Sequence, residues 1–171
     1  MTILTGSLTF NPAFLREIKE DDRHLNGLLA ALRDLTGDKA PPRRCRIIEL
    51  LGELRDQLAF HFALEEAFGY FEDAVDVAPR VAERADELRA EHCELFEFIR
   101  EIAEEAEQWR LHQAQPNGRS EVGPHGGAMG ARPFRRVLLR FRQFDQRLQL
   151  HEQQEGELVT EALETDIGGE G

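Results

Sequence analysis

The sequence predicts an all-α protein folded as an antiparallel up-down four-helix bundle. Apolar residues recur at spacings of three, four and seven over four long segments, at about residues 11–35, 41–71, 79–111 and 133–163. A proline stands at or near the start of each segment, where it suits the first turn of a helix. The alternation typical of strands is weak. Four amphipathic helices in one chain bury their apolar faces most simply against one another.

Composition is consistent with one domain over residues 1–171, because 171 residues can bury a substantial core. The net charge of −12 disfavours nucleic acid and anionic membranes as partners. No apolar run has the length of a membrane span, and residues 1–10 lack the features of a signal peptide. Two cysteines give no disulfide framework. We therefore expect a cytoplasmic protein.

The first two predicted helices have clear boundaries and apolar stripes. Asn11 and Pro12 provide a cap and a first helical position, and Gly37 indicates a stop. The apolar stripe of the first helix consists of Phe14, Ile18, Leu25, Leu28, Leu29 and Leu32. That of the second consists of Ile47, Ile48, Leu50, Leu51, Leu54, Leu58 and Phe62. Both stripes are wide enough to face a bundle core.

The third and fourth predicted helices carry opposite charges. The third is rich in glutamate and the fourth in arginine, so we expect ion pairs between two neighbouring helices. Between them lies a flexible loop at about 113–132, rich in glycine, proline and polar residues and long for a bundle connection. This loop is either disordered, a lid or a partner site.

Two spaced pairs of residues carry the chemistry of the sequence. They are His61-x-x-x-Glu65 and His151-x-x-x-Glu155, and single histidines, His24 and His92, each precede one pair. Positions four apart on a helix diverge by only about 40°, so each imidazole and its carboxylate share a face. The order of these residues indicates a faint internal repeat, which would place one imidazole from each helix in the core.

This set of four imidazoles and two carboxylates predicts a metal site. A lone buried His–Glu pair is more often a hydrogen bond than a site, but the repetition makes coincidence less plausible. Mixed nitrogen and carboxylate ligands suit Fe, Mn or Zn better than Ca or Mg. Two glutamates from different helices can bridge two ions, with two histidines for each ion.

The other polar residues near these pairs are expected mainly at the surface. Glu20 and Asp21, one turn before His24, could each serve as an extra ligand or support a ligand, although solvated acids are the simpler interpretation. Glu66 and Glu152 point away from the paired faces and are expected to be solvated. His112 lies too far along its helix from His92 to share a site, so we expect it at the surface.

The ligand set resembles that of the hemerythrin HHE cation-binding domain, and the resemblance covers nearly the whole chain. It implies a non-haem di-iron centre in a four-helix bundle, bridged by Glu65 and Glu155. His24 and His61 would bind one iron, and His92 and His151 the other. Oxygen-carrying hemerythrins have a second histidine one turn from the first on the third helix, whereas Leu88 and Phe96 occupy those positions here. The sequence is thus more similar to iron-centre repair proteins and iron-sensing hemerythrin-like domains.

The sequence is compatible with three functions. The first is binding or sensing of O2, NO or iron in a bacterial-type stress or iron-homeostasis role. The second is a di-iron oxidoreductase or repair protein acting on peroxide, NO or damaged clusters. The third is a storage or structural site, with zinc or manganese in place of iron. A ferritin-like di-iron site is disfavoured because no glutamate lies three residues before any histidine.

Overall fold

The structure, a computed structural model, describes residues 12–37, 43–67, 70–114 and 131–167. These residues form five α-helices and one 3₁₀ turn, and no strand lies among them. The helices are α1 Pro12–Thr36, α2 Arg44–Ala67, α3 Tyr70–Val77, α4 Ala82–Ala114 and α5 Ala131–Ile167, with the 3₁₀ turn at Pro79–Val81. The predicted all-α class is confirmed. Residues 1–10, and residues 115–130 of the loop predicted at about 113–132, lie outside the described part, while the ends of that predicted loop belong to α4 and α5.

The second predicted helix, at 41–71, corresponds to α2, and the predicted connection after it contains a further helix. Helix α2 ends at Ala67, and α3 is a separate helix of eight residues. The 3₁₀ turn then separates α3 from α4. Ala78, with φ −136° and ψ 82°, has left the helical region because Pro79 follows it. Periodicity did not predict α3, because eight residues are too few to show a clear helical repeat.

The core is shared by α1, α2, α4 and α5. Helix α2 packs against α1 and α4, and α4 also packs against α5. Fully buried aliphatic and aromatic residues fill the space between them, among them Leu32, Leu51, Leu58, Ile99 and Phe144. A second apolar cluster, centred on Phe71, Val81, Leu88 and Leu158, lies where α3 packs on α4 and α5. Burial of these side chains is the main stabilising contribution to the bundle.

Ion pairs join α4 to α5, as the opposite charges of the two helices predict. Arg84 of α4 contacts Glu157 of α5 at 3.1 Å, and further along α4 Glu105 contacts Arg140 at 3.0 Å. Since residue numbers rise along α4 while their partners' numbers fall along α5, these two helices run antiparallel. Each exposed pair contributes only about 0–1 kcal/mol, so the pairs mainly align the helices.

No helix in the described residues combines the length and the apolar character needed to cross a membrane.

Candidate metal centre

Three histidines and two glutamates meet in the core near α3. His61 and Glu65 come from α2, His92 from α4, and His151 and Glu155 from α5. All five are buried, with exposed fractions between 1% for His151 and 9% for His61. Each His–Glu pair lies on one face of its helix because four residues complete slightly more than one turn.

The five side chains form an alternating chain of imidazoles and carboxylates. His61 Nε2 lies 3.1 Å from Glu65 Oε1, and the other oxygen of Glu65 lies 3.5 Å from His92 Nε2. His92 Nε2 is 3.4 Å from Glu155 Oε1, and that oxygen is 3.0 Å from His151 Nε2. Each glutamate therefore contacts imidazoles from two different helices.

Two buried atoms in this row of five side chains lack a hydrogen bond. Among the described residues, neither Glu65 Oε2 nor His151 Nε2 has a hydrogen-bond partner. His151 Nε2 is nevertheless only 3.0 Å from Glu155 Oε1. Two ligands that bind one ion, each about 2.1 Å from it and about 90–110° apart, are separated by about 3.0–3.4 Å. The orphaned atoms and the short contact therefore fit a bound cation better than a hydrogen-bonded pair.

Aromatic packing holds the imidazoles in place. Phe62 stacks on His92, with ring centroids 4.1 Å apart and planes 5° from parallel. His92 and His151 make an edge-to-face contact at 5.1 Å, and Phe71 of α3 lies 5.8 Å from His92. Helix α3, which periodicity did not predict, thus supplies part of the apolar wall of the site.

The charges of the carboxylates shift the pKa values of their partners. Burial by itself would lower the pKa of His61, but hydrogen bonds and charge interactions with Glu65 and Asp21 outweigh burial and raise it to about 9. The pKa of His151 is raised in the same way by Glu155 and Glu91. Burial would raise the pKa of Glu155, yet His151 and His92 lower it to about 2. A cation must displace these protons from the imidazoles in order to bind.

Helix α1 brings an aspartate to the site in place of a histidine. His24 is exposed, so the expectation that its imidazole faces the core is wrong. Asp21 is buried, with an exposed fraction of 5%, and its Oδ2 lies 2.6 Å from His61 Nδ1. The sequence did carry a signal for this. The buried stripe of α1 includes Leu25, and one turn back from Leu25 is Asp21.

The expected solvation of two other acids is also only partly right. Glu66 is half exposed, yet its Oε1 lies 3.3 Å from His92 Nδ1. Glu152 is partly buried, and loss of solvation raises its pKa. His112 is exposed, as predicted. Cys45 and Cys93 are free and exposed.

Among the described residues, two groups of three side chains each bring one possible ligand atom per residue within 4.8 Å of the others. One group is His92, His151 and Glu155, and the other is Asp21, Asp22 and His61. In the second group Asp21 and Asp22 lie on the Nδ1 side of His61, whereas Glu65 contacts Nε2 of the same ring. The two sides of the His61 ring therefore face different carboxylates.

A cavity of 240 Å³ adjoins the site. Its walls come from α1, α2 and α5, and its polar lining is mainly acidic. The acidic and imidazole groups are Asp21, Asp22, His61, Glu65, Glu152 and Glu155. The cavity is large enough for several water molecules or a small ligand beside the two central glutamates.

Comparison with known proteins identifies the type of domain. Residues 13–122 match the family model of the hemerythrin HHE cation binding domain. The matched part includes His61, Glu65 and His92 and ends before α5. No curated protein and no solved structure matches the chain.

Proposed function

This chain belongs to the hemerythrin HHE cation-binding domain family, and we propose that its core binds two iron ions that share carboxylates. The observation that carries the proposal is the buried chain of alternating imidazoles and carboxylates, in which each glutamate contacts histidines from two helices. A buried carboxylate is costly unless a partner compensates its charge, and a cation between Glu65 and Glu155 provides that compensation.

The proposed ligands divide between two positions. His92, His151 and Glu155 hold one ion, and His61 with Glu65 holds the other, while the second oxygen of Glu65 faces His92. Nitrogen and carboxylate ligands of this kind suit iron, manganese and zinc, and the family resemblance favours iron. The proposal takes α1, α2, α4 and α5 as the four antiparallel helices of the bundle.

His24 is the weakest member of the predicted ligand set because its side chain is exposed. Its role stays a prediction, and the metal content of His24→Ala decides it. Unchanged metal content would remove His24 from the set, and a clear loss would restore it.

We propose O2 or NO as the small ligand, with a binding or sensing role. The 240 Å³ cavity beside Glu65 and Glu155 supports this, because it gives a small molecule room next to the ions. Bound iron supplies a reversible change of oxidation state and open coordination positions. Five protein ligands for two ions leave such positions free, while the apolar wall of Phe62 and Phe71 limits access of water from the side of α3.

Metal analysis combined with visible absorption tests the proposal. We expect close to two irons per chain and an absorption band that appears when the reduced protein meets O2 or NO. Zinc in place of iron, with a silent spectrum, would indicate a storage or structural site instead. Turnover of peroxide or NO by the loaded protein would favour the oxidoreductase alternative.

A pair of variants tests the ligands. Glu65→Ala should lose most of the bound metal, because it removes the carboxylate that contacts both His61 and His92. Glu53→Ala is the matched control, since Glu53 is an exposed glutamate on the same helix. Equal metal content in both variants would contradict the ligand assignment.

A further inference from the structure

Each buried imidazole has a carboxylate behind it, on the side away from the two central glutamates. In every case that carboxylate comes from the preceding long helix of the bundle. The three Nδ1–oxygen contacts are His61 to Asp21 of α1 at 2.6 Å, His92 to Glu66 of α2 at 3.3 Å, and His151 to Glu91 of α4 at 3.0 Å. The Nε2 atoms of the same three rings face Glu65 and Glu155.

We propose that Asp21, Glu66 and Glu91 are positioning residues that keep a proton on each Nδ1 and thereby direct each Nε2 toward the metal. A neutral imidazole carries one N–H and one lone pair, and a carboxylate can only accept. When a cation takes the Nε2 lone pair, the Nδ1–H donates to the carboxylate behind it. Such a partner fixes the ring orientation and raises the basicity of the ligand nitrogen. The metal-binding part of this inference rests on the proposed function.

Asp21 is the strongest of the three partners. Its side chain is only 2% exposed, whereas those of Glu91 and Glu66 are 37% and 52% exposed. Gln57 donates a hydrogen bond to its second oxygen. Both carboxylate oxygens are therefore in use, which makes Asp21 a support for His61 and not a ligand.

The more deeply a partner carboxylate is buried, the more metal affinity its removal should cost. Water can replace an exposed carboxylate as the acceptor of an Nδ1–H, but it cannot readily reach the position of Asp21. Loss of a buried partner of this kind lowers metal affinity by about 10- to 100-fold. We expect a loss of that size for Asp21→Ala, a smaller one for Glu91→Ala and the smallest for Glu66→Ala.

The test measures the ring tautomer and the Zn²⁺ affinity of the same variants. Nitrogen NMR of the Zn²⁺-loaded protein should show the proton of His61 on Nδ1, and chelator competition should give the affinity loss for Asp21→Ala. Asp21→Asn keeps an acceptor oxygen and the size of the side chain, so it should retain the tautomer and lose less affinity. Asp34→Asn is the matched control, because Asp34 is an exposed aspartate on the same helix.

Two results would overturn the inference. One is a His61 ring bound to Zn²⁺ through Nδ1, and the other is an affinity for Asp21→Ala and Asp21→Asn equal to that of Asp34→Asn. If the wild-type protein binds no Zn²⁺ or iron, the proposed function fails instead. In that case the tautomer of chelator-treated protein at pH 10 still decides the inference, with Nδ1–H expected and Nε2–H contradicting it.

Discussion

Protein stripped of metal by a chelator should become less stable as the pH rises from 6.5 to about 9. In this range His61 of the unfolded chain gives up its proton, whereas the folded protein keeps it through the hydrogen bonds and charges of Glu65 and Asp21. The folded-state pKa is raised above the unfolded value, so the stabilisation is fully present below pH 6.5 and is lost as the pH passes through about 9. At about 1.4 kcal/mol for each pH unit in this window, the loss is on the order of 3 kcal/mol.

Urea denaturation followed by circular dichroism at pH 6 and pH 10 measures this loss. The variant His61→Gln should be less stable than wild type at pH 6 and should show a pH dependence smaller by about 3 kcal/mol. His151, whose pKa is raised in the same direction, accounts for part of the dependence that remains. His24→Gln, at an exposed histidine, is the control and should keep the full wild-type dependence.

The reasoning would be refuted by a wild-type stability that does not change over this range. It would also be refuted if His61→Gln and His24→Gln lost the same free energy of unfolding between pH 6 and pH 10. The second result would mean that the interactions of His61 with Glu65 and Asp21 are not those in the structure.

Three further predictions concern stability. Leu58→Ala should lower the free energy of unfolding by about 2–5 kcal/mol because Leu58 is fully buried, and Leu139→Ala, at an exposed leucine, should stay within about 0.5 kcal/mol in the same urea titration. Asp145→Ala should cost about 1–3 kcal/mol, because Arg33 donates to both of its oxygens at 2.6 and 2.9 Å; a cost equal to that of an exposed ion pair would contradict this. Addition of iron or zinc to chelator-treated protein should raise the melting temperature. At a free metal concentration a thousand times the dissociation constant, the stabilisation should be about 4 kcal/mol. A melting temperature independent of metal would count against a metal site in the folded protein.

The helices and the two His–Glu pairs could be predicted from the sequence because both depend on local periodicity. The stripe of α2 shows which residues face inward, and Leu51, Leu58 and Phe62 are indeed buried. His61 and Glu65 share a face in any α-helix, whatever lies around it. The same argument places His151 beside Glu155.

Helix α3 could not be predicted in this way. It has only eight residues, whereas a periodic pattern needs a window of about 11–18 residues to indicate a helix. The structure shows the consequence, since Phe71 of α3 packs against His92 and closes one side of the site.

The sequence by itself determined the all-α class, the helix faces and the pairs of metal-binding residue types. Only the tertiary structure decided that Asp21 of α1 is buried against His61 while His24 is exposed, and that each of the three buried imidazoles has a carboxylate behind it. The two positions of α1 lie about 60° apart around the helix axis, so a modest rotation exchanges them. That rotation depends on how Leu25 and the other buried side chains of α1 pack against α2, and packing between helices is not encoded in the spacing along either one.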